Sequence, residues 1–178
     1  GQFLEFISAF EYRRSTGQKK REEELARELV RILSGMANAD GGTVLVGVEP
    51  DKSVTGIPYE GDELQTLIQA PQNLLRPQLA PACEKVRLGN LQLLKFEVAS
   101  SMDIHRIAGG RSFYRIAAET PALPAEQIHS LKEAKRNVFY ERQQTLNATW
   151  YDLDSDLVTQ FVNKLHPGQD PQTVLSQT

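Results

Sequence analysis

Cysteine is almost absent from this 178-residue chain. Cys83 stands alone, so no intrachain disulfide can form and no cysteine-based zinc site can be built. Histidine is nearly as scarce: His105, His129 and His166 lie 24 and 37 residues apart, far from the i, i+4 spacing that sets two imidazoles on one helical face. Long apolar runs are missing too. The longest, Thr43 to Val48 and Leu91 to Leu94, fall well short of the roughly 20 residues that a membrane helix needs. No charged start followed by an apolar stretch marks a secretory leader, so the cytoplasm is the expected compartment and no membrane partner is expected. The chain starts at Gly1 rather than an initiator Met, and a longer parent is expected.

A phosphate loop is also lacking. Gly42 and Gly47 are separated by four residues, as such a loop requires, but Val48 and Glu49 follow where a Lys and a Ser or Thr are needed. The order is reversed as well, because a helical pattern here runs into a strand, and a helix C-terminus repels phosphate. Gly41 and Gly42 are therefore expected to end a helix, one in a left-handed conformation and the other turning the backbone into the strand. Nucleotide hydrolysis is disfavoured.

Strong net charge is absent: −3, with a pI of about 5.7, which argues against indiscriminate coating of nucleic acid. The distribution says more than the sum. Arg13, Arg14, Lys19, Lys20 and Arg21 form a basic run with no acid among them, and Glu22, Glu23 and Glu24 follow at once. His105, Arg106, Arg111 and Arg115 form a second cluster, with no acid from Ile104 to Ala118.

The patterning predicts a strand or short helix over residues 3–13. An amphipathic helix follows, from Arg21 through Leu25, Leu29, Ile32, Leu33 and Met36, with acids in its first turn. TVLVGVE reads as a strand covered on both faces, Pro50 to Ser53 as a turn, and VTGI as a returning strand. Asp62 to Leu75 is helical, with Pro71 expected to kink or split it. KVRL and LQLLKFEVA flank Gly89-Asn90 as a hairpin, SSMDIHRIAGG is a loop and RSFYRIA a further strand. A helix starts after Pro124, and Asp154 or Ser155 caps a last one. The tail beyond Gln169 reads as unstructured. This order lacks strict strand-helix alternation. It implies an α+β fold with a mixed or antiparallel sheet flanked by helices over residues 1–134, and a helical extension with a flexible tail over 135–178, leading to a further C-terminal part.

The blocks FEYRR (10–14), MANADGG (36–42), VLVGVE (44–49), VTGI (54–57), FYRIAAET (113–120) and the helix from LPAEQI resemble the AlbA-like DNA-binding domain shared by many bacterial regulators and the Schlafen proteins. The family pattern runs E-[FY]-K, then A-[FM]-A-N-T-x-G-G, a G-V strand and Y-[IY]-R, over about residues 6–134. Glu11 and Arg13 fall on the Glu and Lys of the first block. Asn38, Gly41 and Gly42 match the second, with Ala39 in place of Thr. Arg115 falls on the Arg after the aromatic, and His105 on a frequent His. The resemblance implies nucleic-acid binding, often in a transcriptional regulator. In the nuclease branch of Schlafen proteins an acidic trio holds a metal. The corresponding slots here hold Phe6, Glu11 and Pro50, while Glu5, Glu49 and Asp51 are each one residue away, and a one-residue slip on a strand turns a side chain to the other face.

The expectation is a non-catalytic nucleic-acid-binding module of a bacterial regulator, with DNA ahead of RNA, no cofactor and room for a homodimer. Phosphates would be met by Arg13, Arg14, Lys19, Lys20, Arg21, His105, Arg106, Arg111 and Arg115. Glu11, Asn38, Gly41 and Gly42 would serve the structure. One alternative is a Mg²⁺- or Mn²⁺-dependent endoribonuclease using Glu5, Glu11, Glu49 and Asp51. The other is a protein-interaction domain in which the charges pair among themselves. His105, between Asp103 and Arg106, is expected at the surface.

Overall fold

A computed structural model of the chain describes residues 1–11, 17–147 and 154–165. Twelve elements follow one another: β1 (Leu4–Ile7), α1 (Glu22–Asn38), β2 (Gly41–Val46), α2 (Gly61–Leu74), β3 (Leu75–Arg76), β4 (Ala82–Leu88), β5 (Leu91–Ala99), β6 (Arg106–Ile107), β7 (Ser112–Phe113), β8 (Ala122–Leu123), α3 (Ala125–Asn147) and α4 (Ser155–Leu165). By its contacts the chain divides into two compact units, Gly1–Lys135 and Arg136–Thr178. The fold is α+β, as the order of patterns implies.

Helix α1 organises the first unit. Leu25, Leu29, Leu33 and Met36 recur at helical spacing and are wholly buried, and from Ile32 to Asn38 no residue reaches solvent freely. A helix buried on all sides belongs to the middle of a core. Its partners are α2, the strands β2 and β5 on one side, and β6 and β7 on another. Glu22, Glu23 and Glu24 occupy its first turn, where the unpaired N–H groups favour negative charge.

The first sheet has the order β1-β2-β5-β4. β1 and β2 are parallel, with Leu4 opposite Thr43 and Ile7 opposite Val46, and α1 supplies the crossover between them. β2 is antiparallel to β5, and β5 to β4 through the two-residue turn Gly89-Asn90. Val44, Val46, Leu94 and Phe96 turn to the helices and are buried. Gly41 opens β2 at φ +84, and a Cβ there would lie 2.6 Å from the Val98 carbonyl oxygen. Glycine is thus required both for the left-handed turn out of α1 and for the close approach of β2 to β5.

The second sheet, β3-β6-β7-β8, is antiparallel throughout and built from strands of two residues each. Here the sequence expectations need correction. RSFYRIA shortens to Ser112–Phe113, because Ala117 adopts φ +53 and the chain turns back, closing on Glu119 through the Ile116 pair. The presumed loop SSMDIHRIAGG supplies β6. VTGI is no strand either. The amides of Thr55 and Gly56 both donate to the Gly47 carbonyl, which makes a turn, and only Val54 pairs, with Val48. Pro71 lies inside α2 without splitting it.

Helix α3 sets a narrow stripe of partly covered residues, Ile128, Leu131 and Lys135, at helical spacing. Helix α1 has no basic residue in its last turn, and Lys135 fills that role from outside. Its Nζ donates to the carbonyls of Ser101 at 2.7 Å, Ala39 at 3.3 Å and Ala37 at 3.4 Å. Burial pushes its pKa down, opposed by the charge of Asp40. In the second unit, Asp154 caps α4 by accepting from the amides of Asp156 and Leu157, as its position predicts. Trailing residues beyond Gln169 lie outside the described residues.

Candidate nucleic-acid interface

The first basic run is largely met by acids. Lys19 Nζ stands 2.9 Å from both carboxylate oxygens of Glu63 and 5.3 Å over the Tyr59 ring. Lys20 pairs with Glu28 at 2.7 Å and Arg21 with Glu23 at 3.0 Å. The exposed pairs of Lys19 and Arg21 are weak, roughly 0–1 kcal/mol each, so a phosphate can displace their carboxylates, whereas the Lys20–Glu28 pair is half-buried. Arg13 and Arg14 lie outside the described residues.

The second cluster divides. His105 and Arg115 are buried, not at the surface where the sequence places them. His105 bonds Pro77 O through Nδ1 at 2.8 Å and Ser101 Oγ through Nε2 at 2.9 Å. Since a carbonyl only accepts, Nδ1 is the donor to Pro77 O. Arg115 forms an ion pair with Glu5 on β1, donates to Thr120 Oγ1 at 2.9 Å and reaches the Gly1 carbonyl. It is 2 % exposed, so a phosphate could reach it only by breaking that pair.

Arg106 and Arg111 are exposed, and neither forms an ion pair with any described residue. Arg106 has a neighbour the sequence does not betray. Arg76 on β3 is its direct cross-strand partner, so both side chains leave the same face, about 5 Å apart at Cβ. Arg76 is steadied by donating through Nη1 to the carbonyls of Gln72, Asn73 and Leu75 at the end of α2. Like charges placed directly opposite repel, and no described carboxylate relieves them. The tight turn from Ile107 to Arg111, closed by Ile107 N–H donating to the Arg111 carbonyl at 2.8 Å, brings Arg111 to the same hairpin.

Asn38 holds this region in place. Its Oδ1 accepts from the His105 amide at 2.8 Å, and its Nδ2 donates to the carbonyls of His105 at 2.9 Å and Phe113 at 2.8 Å. One fully buried amide thus ties the end of α1 to the segments on either side of β6 and β7. Gly35 on the same helix lets the Arg115 amide reach its carbonyl at 3.0 Å, and a Cβ there would lie 2.3 Å from Thr120 Cγ2.

The four acids of the nuclease reading do not make a common set. Glu5 is taken by Arg115, and Glu49 accepts from the hydroxyls of Ser8 and Thr55 at 2.7 Å each. Asp51 accepts from Ser53 side chain and amide, which holds its pKa below the usual carboxylate range. Glu11 is fixed through its backbone, the amide donating to Gln18 O. Among the described residues no three His, Cys, Asp or Glu side chains converge as a metal ion would require, so this donor set does not fit Mg²⁺ or Mn²⁺. No helix of the described residues is long and apolar enough to cross a membrane.

The family model described as Schlafen, AlbA_2 matches residues 3–147. No curated protein matches. Among solved structures, the DIP2311 protein from Corynebacterium diphtheriae aligns with a TM-score of 0.59 and 21% identity, over 75% of this chain and 24% of that one. The N-terminal domain of a RecG-related protein from Nitrosomonas europaea aligns with a TM-score of 0.42 and 18% identity, over 65% of this chain and 79% of that one. This chain therefore spans about a quarter of the DIP2311 protein, and at this identity the likeness shows the fold alone.

Proposed function

The chain belongs to the Schlafen AlbA_2 family, and from that premise we propose that it is a non-catalytic nucleic-acid-binding module, for DNA ahead of RNA, within a bacterial transcriptional regulator. One observation carries this reading: Arg76 and Arg106 face each other across β3 and β6, with Arg111 at the adjoining turn, and no described acid neutralises them. Like charges set opposite each other on neighbouring strands are stabilised by a polyanion, and Arg is the side chain whose planar fork matches phosphate. Lys19 and Arg21 add cations that are released when their weak pairs open. Arg76, Arg106 and Arg111 stand on two-residue strands and a turn rather than on a helix, so binding through them is dominated by phosphate contacts, with strong salt dependence and weak sequence preference.

The test is titration of the 178-residue chain with labelled duplex DNA, duplex RNA and single strands at two salt concentrations. Arg106→Ala with Arg111→Ala should weaken binding across sequences alike and reduce the slope of log K against log salt by about 2, near one per lost phosphate contact. Unchanged affinity and slope at low salt would favour an interaction domain instead. Metal-dependent cleavage that stops in Glu11→Gln would replace this reading with the nuclease.

A further inference from the structure

A cleft of about 420 Å³ opens between the segment Thr55 to Glu60 and the tip of the β4-β5 hairpin. It falls within the roughly 300–1,000 Å³ typical of small-ligand sites. Its two walls are fixed to each other, since Ile57 N–H donates to the Gln92 carbonyl at 2.8 Å. Phe10 and Pro58 give it flat apolar surface, backed by the buried Tyr59, and Glu60, Arg87 and Asn90 give it polar groups. Tyr59 is locked, its hydroxyl donating to the Lys20 carbonyl at 2.6 Å.

The charges are the informative part. Glu60 and Arg87 line the same cleft with opposite signs, yet no ion pair joins them, and neither side chain has a hydrogen-bond partner among the described residues. Glu60 precedes α2 but makes no side-chain cap bond. A flat ring that donates along one edge and accepts along another satisfies both. Guanine does so: its N1–H and N2–H₂ donate to a carboxylate, while O6 and N7 accept from a guanidinium. Adenine turns an acceptor, N1, toward the carboxylate and lacks O6.

We propose that this cleft holds a guanine base, delivered by an unstacked nucleotide of a bound strand. The proposal rests on the nucleic-acid reading above and adds to it a preference that phosphate contacts cannot provide. Stacking on aromatic and proline surface is tolerant of base identity, so the discrimination comes from Glu60 and Arg87.

The experiment is amide NMR of the ¹⁵N-labelled 178-residue chain, titrated with GMP, AMP and CMP, and with an octamer of uridines with and without one central guanosine. GMP should shift the amides of Gly56, Gly89 and Gln92 at concentrations at least tenfold below those needed for AMP or CMP. Arg87→Ala and Glu60→Gln, both at exposed positions, should each weaken GMP tenfold or more with the remaining spectrum unchanged. The guanosine octamer should outbind the plain one. Equal response to all three nucleotides, or silence of these amides with both GMP and the guanosine octamer, would overturn the pocket. Octamers that shift only the Ile107 and Gly110 amides would overturn it too, while leaving the nucleic-acid reading intact. A GMP response without binding of either octamer would keep the guanine pocket but overturn a bound strand as its source, leaving the nucleic-acid reading to the duplex titration.

Discussion

Strands β2, β4 and β5 run for six to nine residues and, with β1, bury Ile7, Val44, Val46, Leu94 and Phe96 beneath α1 and α2. Strands β3, β6, β7 and β8 are two residues each; Leu75 reaches the same apolar core with Ile107 against it, and the remainder leans on the buried side chains of Asn38, His105 and Arg115. The first half is kept by apolar burial, which is tolerant and non-directional. The second is kept by hydrogen bonds and one ion pair, which are directional and fail sharply when one partner goes. The exposed arginines ride on the second half. A surface carrying like charges is therefore positioned by polar groups underneath it, in the part of the fold with least apolar burial, where local opening is easiest.

Removing Arg115 should break that arrangement most. Arg115→Ala leaves Glu5 without its partner and Thr120 Oγ1 without a donor, and breaking one side of a buried pair typically takes about 3–5 kcal/mol. Urea unfolding should show a loss near the lower end, because Glu5 retains 26% exposure. Hydrogen exchange should show the β6 to β8 amides opening before those of β2 and β5. A uniform loss of protection across both sheets would erase the distinction between the halves.

A smaller effect tests the seam between α1 and the second half. Gly35→Ala gains about 1 kcal/mol of helix propensity, but the new methyl would overlap Thr120 Cγ2, 2.3 Å away. Overpacking of this kind takes about 1–3 kcal/mol, so the net change should be a loss of about 1 kcal/mol. Thr120→Ser removes the clashing methyl while keeping the hydroxyl that Arg115 uses, and should return most of the loss when combined with Gly35→Ala. Additive single-mutant effects would show that the contact is slack.

The first half has a polar anchor of its own in Tyr59, whose pKa burial raises to about 12 from an ordinary value of 10.0. Unfolded chains would release this proton near pH 10, while the native protein keeps it. Stability from this group is therefore full below pH 10 and falls as pH rises toward 12. Stability should fall over that window by up to about 2.7 kcal/mol from this group, and Tyr59→Phe should remove that fall, with a loss of about 1 kcal/mol at neutral pH.

How far the sequence foretold each half follows from the same physics. Helix α1, strand β2 and the β4-β5 hairpin were legible because apolar burial writes a period of 3.6 or 2 into a segment. A strand of two residues is shorter than any period, so β3, β6 and β8 leave no trace, and this part of the sequence reads as loop plus one long strand. Arg115 was misplaced for a related reason. An arginine beside aromatics looks the same on a surface or under it, and the group that decides, Glu5, lies 110 residues earlier. His105 shares that fate, buried by the Pro77 carbonyl and Ser101 hydroxyl that its neighbours in sequence do not announce. In sequence Arg76 is an isolated cation after a helix; only the β3-β6 register sets it against Arg106. Asn38 serves the structure as expected, but through backbone groups 67 and 75 residues away, those of His105 just before β6 and Phe113 on β7.

Smallest, and opposite in sign, is the outcome for Ser112. It is 2 % exposed on β7, with Oγ unpartnered among the described residues, as is Nε of Arg115. In a region organised by polar pairing, an orphaned hydroxyl contributes desolvation loss without a bond, about 1–3 kcal/mol for such a group where nothing compensates. Ser112→Ala keeps the backbone ladder to Leu123 and Arg106 and loses only the oxygen, so it should raise stability by about 1 kcal/mol in urea unfolding, unlike every other substitution in this half. A loss instead would mean that the hydroxyl has a partner after all, and the second sheet would then be more completely satisfied than the first comparison allows. Ser112→Ala keeps the backbone pairing to Arg106, so its affinity for a strand at low salt should not fall.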